Sequence, residues 1–282
     1  FAGIRKLTPI KTRLAFHYTD RKIDTLDPVI KLAEDTKAHL NVVVLGIVRT
    51  VPVTAAPGVP AYYFDESNAD LIKAGKERVS EIEQKLQDLD LSASVTLECR
   101  DPALIEETIL GHSMFADASI FANQSILGND LNTRAFHGAV LNSGRPILIM
   151  GEKPATPPKG KVLFAWNGTP EAAKAMHHSL PWLKDAAEAH VVVVDPDEYK
   201  TGPNPGDDVA AFLARRGLKV TVERLPGGQR DASEILLEHA TDIDADLLVM
   251  GAYGRSRFRE WLLGGSTRNV LEKAKLPVLM AH

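Results

Sequence analysis

Small residues near the end of the chain have the types and spacing of a phosphate-binding loop. An apolar run ends at Gly251 and Gly254, and nine residues later a second cluster opens a helical pattern: Gly264, Gly265, Ser266 and Thr267. Glycine lets the backbone approach a ligand closely, and the first turn of a helix offers unpaired N–H groups to phosphate oxygens. This chemistry suits a nucleotide.

The charge around this loop differs from the charge of the whole chain. The 282 residues include 33 basic and 37 acidic side chains, which gives a formal net charge of -4. Between Gly251 and Leu276, however, six residues are basic and two are acidic, and Arg255 is the first of the six. The overall charge disfavours a nucleic-acid partner, whereas the local excess favours a small anionic ligand.

The elements that must position the loop occur in two similar halves. Short β-branched runs alternate with helical patterns, which predicts βαβ units and a parallel sheet in each half. The strongest helical pattern covers about 65–89. The matching apolar runs of the two halves are 13–18 with 161–166, 116–121 with 245–250, and 145–150 with 276–280.

A proline-rich segment separates the halves. Residues 151–160 include three prolines and read as a semi-rigid linker. We therefore predict a first domain over 1–150, a linker over 151–160 and a second domain over 161–282.

The second half has polar residues where its first strand should end. Trp166 and Asn167 follow the apolar run, and Thr169 with Pro170 has the pattern of a helix start. In open α/β sheets, ligands bind at the carboxyl ends of the strands. We expect Trp166 and Asn167 to lie at that edge.

In the spacing of Gly251, Gly254 and Gly264, the sequence resembles the universal stress protein family. In that family, glycines at this spacing followed by Ser or Thr bind ATP. The resemblance covers the whole chain as a tandem pair and is stronger in the second half. It implies an α/β fold of two tandem Rossmann-like domains of the adenine nucleotide alpha hydrolase-like type, each a five-stranded parallel sheet flanked by helices. It also implies an internal pseudo-dimer through the last strands and leaves a further homodimer open.

The resemblance assigns roles to the residues of the loop. Gly251 and Gly254 would flank the ribose and phosphates, and the residues from Gly264 to Thr267 would cradle the phosphates. Asn167 and residues 193–195, including Val194, would line the adenine side. Trp166 is either core or a pocket wall that touches the base, and Arg255 is either a phosphate contact or part of a solvated face.

Two departures from the family pattern bear on the ligand. Gly265 stands where the family has Ser or Thr, so Ser266 or Thr267 must supply the hydroxyl. Asn167 stands where the family tends to have Asp, and an amide cannot supply a negative ligand to a divalent ion. ATP is therefore the expected cofactor, with the participation of Mg²⁺ undecided.

The first half lacks the complete loop. Gly128 and Gly138 keep the nine-residue gap, and Ser125 would then take the place of the first glycine. Aligning Pro146 with Pro277 instead puts Gly138 inside the last helix of this half. We expect the first half to be a structural partner that covers an edge of the second.

Three functions follow in order of preference. The first is a stress-response protein that binds an adenine nucleotide and acts as a regulator or protective factor. The alternatives are a scaffold for protein partners without nucleotide and a slow ATP hydrolase. The sequence contains no hydrolase, metalloprotease, Walker or dinucleotide motif. It shows no evident carboxylate near the loop, so we predict no catalytic residue and at most weak ATPase activity.

Other features of the sequence bear on the cellular location of the protein and on whether it binds a membrane or a metal. Cys99 is the only cysteine, and the first eleven residues lack the apolar core of a signal peptide, so we expect a cytoplasmic protein. No apolar run is long enough to span a membrane, and no membrane partner is expected. His177 and His178 lack acidic neighbours at ligand spacing, and we predict no metal site.

Overall fold

A computed structural model describes residues 11–48, 50–54, 60–64, 68–121, 130–152, 156–196, 204–254 and 265–282. The strands in these ranges are β1 (Thr12–Tyr18), β2 (His39–Ile47), β3 (Thr50–Thr54), β4 (Pro60–Phe64), β5 (Ala93–Arg100), β6 (Ala118–Phe121), β7 (Ile147–Ile149), β8 (Lys161–Ala165), β9 (Glu188–Val194), β10 (Lys219–Leu225), β11 (Ala245–Gly251) and β12 (Val278–Ala281). The α-helices are α1 (Asp27–Thr36), α2 (Asn68–Gln87), α3 (Ile105–Ser113), α4 (Asp130–Val140), α5 (Pro170–Ser179), α6 (Asp207–Ala214), α7 (Ala232–Asp242) and α8 (Gly265–Lys273).

Ten of these strands form one sheet in the order β10-β9-β8-β11-β12-β7-β6-β1-β2-β5. Neighbours within the first five and within the last five strands of this order are parallel. The two sets meet at β12 and β7, which pair antiparallel with Leu279 opposite Leu148. Strands β3 and β4 form a separate antiparallel hairpin that the sequence did not predict.

Both faces of the sheet are buried because its central strands are apolar on both sides. In β8, Leu163 packs in the core on one face and Phe164 in the core on the other. Helices α1, α2, α5 and α6 contribute buried residues to the core that contains Phe164, and helices α3, α4, α7 and α8 contribute to the core that contains Leu163. The predicted α/β fold with a parallel sheet flanked by helices is thus confirmed.

Some local predictions change in detail. The longest helix, α2, ends at Gln87, two residues before the predicted boundary, and residues 65–67 lie outside the described part of the chain. Cys99 lies within β5. Its side chain is partly buried, and burial is the largest effect that raises the pKa of its thiol. A raised thiol pKa disfavours a redox role for this cysteine.

Gly138 lies inside α4, as the alignment of Pro146 with Pro277 predicts. A Cβ at this position would come within 2.3 Å of the carbonyl oxygen of Glu106, the second residue of α3. Gly138 therefore lets α3 and α4 pack closely, which opposes the reading of this glycine as part of a second ligand loop. Ser125 and Gly128, the other members of that reading, lie outside the described residues.

His17 in β1 makes the stability of the fold depend on pH. Its side chain is buried, with 1% exposure, and burial followed by the charge of Arg78 lowers its pKa from 6.5 to about 4. The unfolded chain therefore binds more protons between these pH values, so the stabilisation is complete above pH 6.5 and lost towards pH 4. We expect a loss on the order of 2–3 kcal/mol from this residue.

Urea unfolding of the wild type and of His17→Gln at pH 7 and pH 4 measures this effect. The variant should lose less stability than the wild type over this interval, because it has no imidazole to protonate. Equal losses in the two proteins would contradict a buried, neutral His17.

Among the described residues, no helix is long and apolar enough to cross a membrane.

Candidate functional site

The end of β8 and the start of α5 form a polar turn at the carboxyl edge of the sheet. Asn167 Oδ1 accepts hydrogen bonds from the backbone N–H of Thr169 at 3.2 Å and from its hydroxyl at 2.9 Å. The Thr169 side chain in turn caps α5 by accepting from Ala172 N, and Pro170 begins the helix. Gly168 between them has a φ of +71°, which favours glycine. The sequence thus builds a fixed turn whose Asn167 is exposed.

Gly251 is required by packing. It ends β11, and a Cβ there would lie 2.7 Å from the backbone nitrogen of Ala172 and 2.8 Å from the carbonyl carbon of Glu171. The first turn of α5 therefore packs directly on the backbone of Gly251. This contact gives Gly251 a structural reason that is independent of any ligand.

Gly254, by contrast, is not required to be glycine by its packing against the described residues. Its φ is not positive, and a Cβ would make ordinary contacts, 3.5 Å from Thr169 Oγ1 and 3.6 Å from Asn167 Nδ2 and from Glu171 Oε2. The backbone of Gly254 therefore lies beside three polar side chains without a packing demand for glycine. An unexplained glycine at a polar sheet edge is the arrangement expected where a ligand approaches the backbone.

Tyr253 holds the loop between these glycines against the first half. Its φ of +59° is unusual for a residue with a side chain, and its ring lies 5.8 Å from the His137 ring and 6.2 Å from the Phe136 ring, both on α4. Burial raises the pKa of its phenol well above the usual value. The packing of Tyr253 links the shape of the loop to the first half, and the sequence did not predict this contact.

The two candidate hydroxyls at the start of α8, those of Ser266 and Thr267, have different surroundings. Ser266 is partly exposed, and its Oγ donates to Asp231 Oδ1 at 3.2 Å. Thr267 is 4% exposed, and its Oγ1 lies 3.5 Å from the backbone nitrogen of Tyr253, which donates to it. Thr267 therefore supports the loop, and Ser266 presents the hydroxyl at the surface. Gly265 is open, since the nearest atom to a Cβ there is Asp231 Oδ2 at 3.9 Å.

The expectation that no carboxylate lies near the glycine loop is wrong. Glu171 reaches the space beside Gly254, and Asp231 lies beside Ser266. Burial raises the pKa of Asp231, but hydrogen bonds from Ser233 and Ser266 outweigh it, and the net shift is downward. Asp231 is therefore ionised at neutral pH. Sequence reasoning missed both carboxylates because they are distant in the chain and converge only through the sheet.

Part of the basic excess around the loop is also balanced. Arg268 Nε pairs with Glu272 at 2.9 Å, and Lys273 Nζ pairs with Glu234 at 3.0 Å. The two remaining residues of the predicted site, Arg255 and Gly264, lie outside the described part of the chain. Among the described residues, Arg268 and Lys273 are thus paired with acids, and the start of α8 remains as a source of positive potential for an anion.

The residues expected on the adenine side end two neighbouring strands. The backbone nitrogen of Trp166 donates to Val192 O at 2.9 Å, which extends the pairing of β8 and β9. The partly buried side chain of Trp166 packs with the core on the α5 face, whereas that of Val194 packs with the opposite core. Trp166 and Val194 are therefore neighbours at the edge but do not share one face of the sheet.

The part of the chain that contains this edge resembles known proteins. The family model described as "Universal stress protein family" matches residues 159–282. The C-terminal half of this chain is a universal stress protein domain. A universal stress protein of Synechocystis sp. is 34% identical over 126 residues, which are 42% of this chain and 41% of that protein. A universal stress protein of Methanocaldococcus jannaschii is 38% identical over 47 residues, 17% of this chain and 29% of that protein.

A solved structure extends the likeness of fold to both halves. A universal stress protein from Archaeoglobus fulgidus has a TM-score of 0.68 and 18% identity, and the match covers 95% of this chain and 97% of that chain. The universal stress protein domain contains every described residue of the predicted site: Trp166, Asn167, Val194, Gly251, Gly254, Gly265, Ser266 and Thr267. The matches span less than half the length of the two curated relatives, 41% and 29%.

Proposed function

We propose that the universal stress protein domain binds an adenine nucleotide, ATP, at the carboxyl edge of β8, β9 and β11. The observation that carries this proposal is Gly254, which lies beside Asn167 and Thr169 and which neither its φ nor its contacts with the described residues require to be glycine. Its backbone is open to a ligand where ligands of α/β sheets bind. The resemblance to ATP-binding family members names the class of ligand.

The phosphates would lie at the start of α8. Its first turn begins at Gly265, which is open, and Ser266 presents a hydroxyl. Helix starts favour anions because their N–H groups lack partners and the helix dipole is positive there. Gly264 and Arg255 would extend this cradle on the side that the structure does not describe.

Asp231 and Glu171 would repel the phosphates of a bound nucleotide unless a cation lay between them. Both are acidic, and both lie at the edge that would receive the phosphates. Mg²⁺ is bound in nucleotide sites by one or two carboxylates together with phosphate oxygens, so it would convert their repulsion into a bridge. Glu171 would supply the negative ligand that Asn167 cannot. We therefore expect ATP to bind more tightly with Mg²⁺ than without it.

The first half would act as the structural partner. The antiparallel pairing of β7 with β12 covers the edge of the five strands of the second half, and α4 packs on Tyr253 of the loop. We propose domains over 1–150 and 161–282, joined by a linker over 151–160 and held as an internal pseudo-dimer. In this arrangement, a change in the loop on nucleotide binding would be transmitted to the first half through the packing of Tyr253 on α4, as expected of a regulator.

Calorimetric titration of ATP into the full chain, with and without Mg²⁺, tests the proposed function. We expect one ATP per chain with a Kd of about 1 to 100 µM, since the site offers few charge-assisted contacts. No heat in either titration would refute nucleotide binding and leave the scaffold function.

A slow ATP hydrolase is the second candidate, and the position of Glu171 favours it. A carboxylate beside bound phosphates orients an attacking water or holds the metal ion. A time course of phosphate release with ATP and Mg²⁺, run on the wild type and on Glu171→Gln, separates hydrolysis from binding. A rate that the substitution abolishes would support the hydrolase, and a rate at the buffer level in the wild type would exclude it.

A further inference from the structure

A cluster of two histidines and one glutamate lies apart from the nucleotide site and shares no residue with it. His190 is in β9, Glu223 is in the edge strand β10, and His239 is in α7. One potential ligand atom from each of the three lies within 4.8 Å of the other two. No other such group occurs among the residues that the structure describes.

The fold places these side chains together without any signal in the sequence. Thr221 pairs with His190 across the parallel strands, and Glu223 is two residues further along, so His190 and Glu223 project from the same face. Helix α7 packs on this face through Leu236 and Ala240 and brings His239 onto Glu223. The sequence analysis considered only the adjacent pair His177 and His178 and predicted no metal site.

The distances bring both oxygens of the carboxylate to imidazole nitrogens. His190 Nδ1 lies 2.7 Å from Glu223 Oε1 and forms a hydrogen bond with it. His239 Nε2 lies 2.9 Å from Glu223 Oε2, but its direction does not meet the geometry of a hydrogen bond. The second interaction is therefore a close approach of two ligand-type atoms that a hydrogen bond does not explain.

Burial makes this arrangement costly unless something else binds there. The side chains of His190 and His239 are 10% and 15% exposed, and the Nε2 atom of each is buried without a hydrogen-bond partner. A buried polar atom without a partner costs about 1–3 kcal/mol. A cation beside Glu223 would give His239 Nε2 a partner.

A further carboxylate lies beside the cluster. Glu188 Oε2 is 3.5 Å from His190 Nε2. It already pairs with Lys219 Nζ at 2.6 Å, so either Glu188 or water would complete the coordination.

We propose that His190, Glu223 and His239 bind a divalent transition-metal ion, with zinc as the best fit. Zinc takes imidazole nitrogens and carboxylate oxygens in a tetrahedron with bonds of about 2.0–2.2 Å, and three protein ligands leave one position for water or Glu188. Ligand atoms of a tetrahedral zinc site lie about 3.3–3.5 Å apart. The 2.7 and 2.9 Å contacts to Glu223 would therefore open slightly, and any longer separation, all being within 4.8 Å, would close. The ion would tie α7 to the edge of the sheet.

Zinc titration of the full chain, made without a polyhistidine tag, tests this site. We expect one Zn²⁺ per wild-type chain, an increase in Tm on adding ZnCl₂, and visible absorption bands of a four-coordinate site when Co²⁺ replaces Zn²⁺. His239→Gln should weaken zinc binding by about tenfold or more, because a lost contact in the coordination shell typically costs 10–100-fold. The matched control is His39→Gln, which removes a partly buried histidine bonded to Ser92 and Ser94 and should leave binding unchanged.

The outcomes separate a metal site from a polar network. Zinc affinity that is equal in wild type and His239→Gln would overturn the proposal, since binding would then be elsewhere. If His239→Gln does not fold, the wild type decides alone. An unchanged Tm with zinc, or Co²⁺ bands that persist in the His190→Gln variant, would equally overturn it.

Discussion

Replacing Gly254 by valine is expected to lower the ATP affinity at least about a hundredfold, equivalent to about 2.7 kcal/mol, while the fold is retained. Among the described residues, the atoms nearest to a Cβ at this position would be Thr169 Oγ1, Asn167 Nδ2 and Glu171 Oε2, at ordinary contact distances of 3.5–3.6 Å. The two further methyl groups would occupy the space through which a ligand reaches the backbone. Calorimetry gives the affinity, and urea unfolding should show a stability change below about 1 kcal/mol.

Gly111→Val is the matched control for this prediction. Gly111 lies in α3, and apart from its own stretch of helix a Cβ there meets no heavy atom of the described residues within 4 Å. The same substitution in open space should leave both ATP binding and stability close to the wild type. Unchanged ATP affinity in Gly254→Val, in a protein that binds ATP, would show that the ligand does not approach this glycine.

Replacing Gly151 by alanine is expected to destabilise the protein by about 1–3 kcal/mol or more. Gly151 follows β7, and a Cβ at this position would lie 2.3 Å from the carbonyl oxygen of Lys275 and 2.6 Å from the carbonyl carbon of Leu276. Both atoms belong to the backbone that leads into β12, so a side chain would force apart the two strands that join the halves. Relief by rotation of a side chain is not available.

Urea unfolding of Gly151→Ala and of Gly111→Ala measures this effect with opposite expected signs. Gly111→Ala should stabilise the protein by about 0.5–1 kcal/mol, because alanine favours a helix more than glycine does. A Gly151→Ala protein as stable as the wild type would mean that the close approach of Gly151 to Lys275 and Leu276 does not hold in solution.

The sequence predicts the fold because its strands must be buried on both faces. Runs such as Val191–Val194 leave no polar side to face solvent, and their alternation with amphipathic helices favours a parallel sheet. The hairpin of β3 and β4 was missed, since Pro52 and Pro60 argue against strands in these short segments. Spacing and resemblance predict a ligand loop from Gly251 to Thr267, because its glycines are close in the chain.

The parts of the site that depend on distant residues could not be read from the sequence. Glu171 reaches Gly254, and Asp231 reaches Ser266, only because β8, β11 and the helices after them meet at one edge. The packing of Tyr253 on His137 depends on the contact between the halves. These contacts add negative charge beside Gly254 and Ser266, where the phosphates are proposed to lie, and they connect Tyr253 to the first half.

The central claim is that one adenine nucleotide binds each chain, in the second half. Photo-crosslinking with 8-azido-ATP, followed by mass spectrometry of the labelled peptides, tests it most directly, because the reactive group is on the adenine. The proposed site predicts label in the peptides that contain Trp166, Asn167 or Val194, and the label should disappear with excess ATP. Label in residues 11–121, or label that excess ATP does not remove, would contradict the claim.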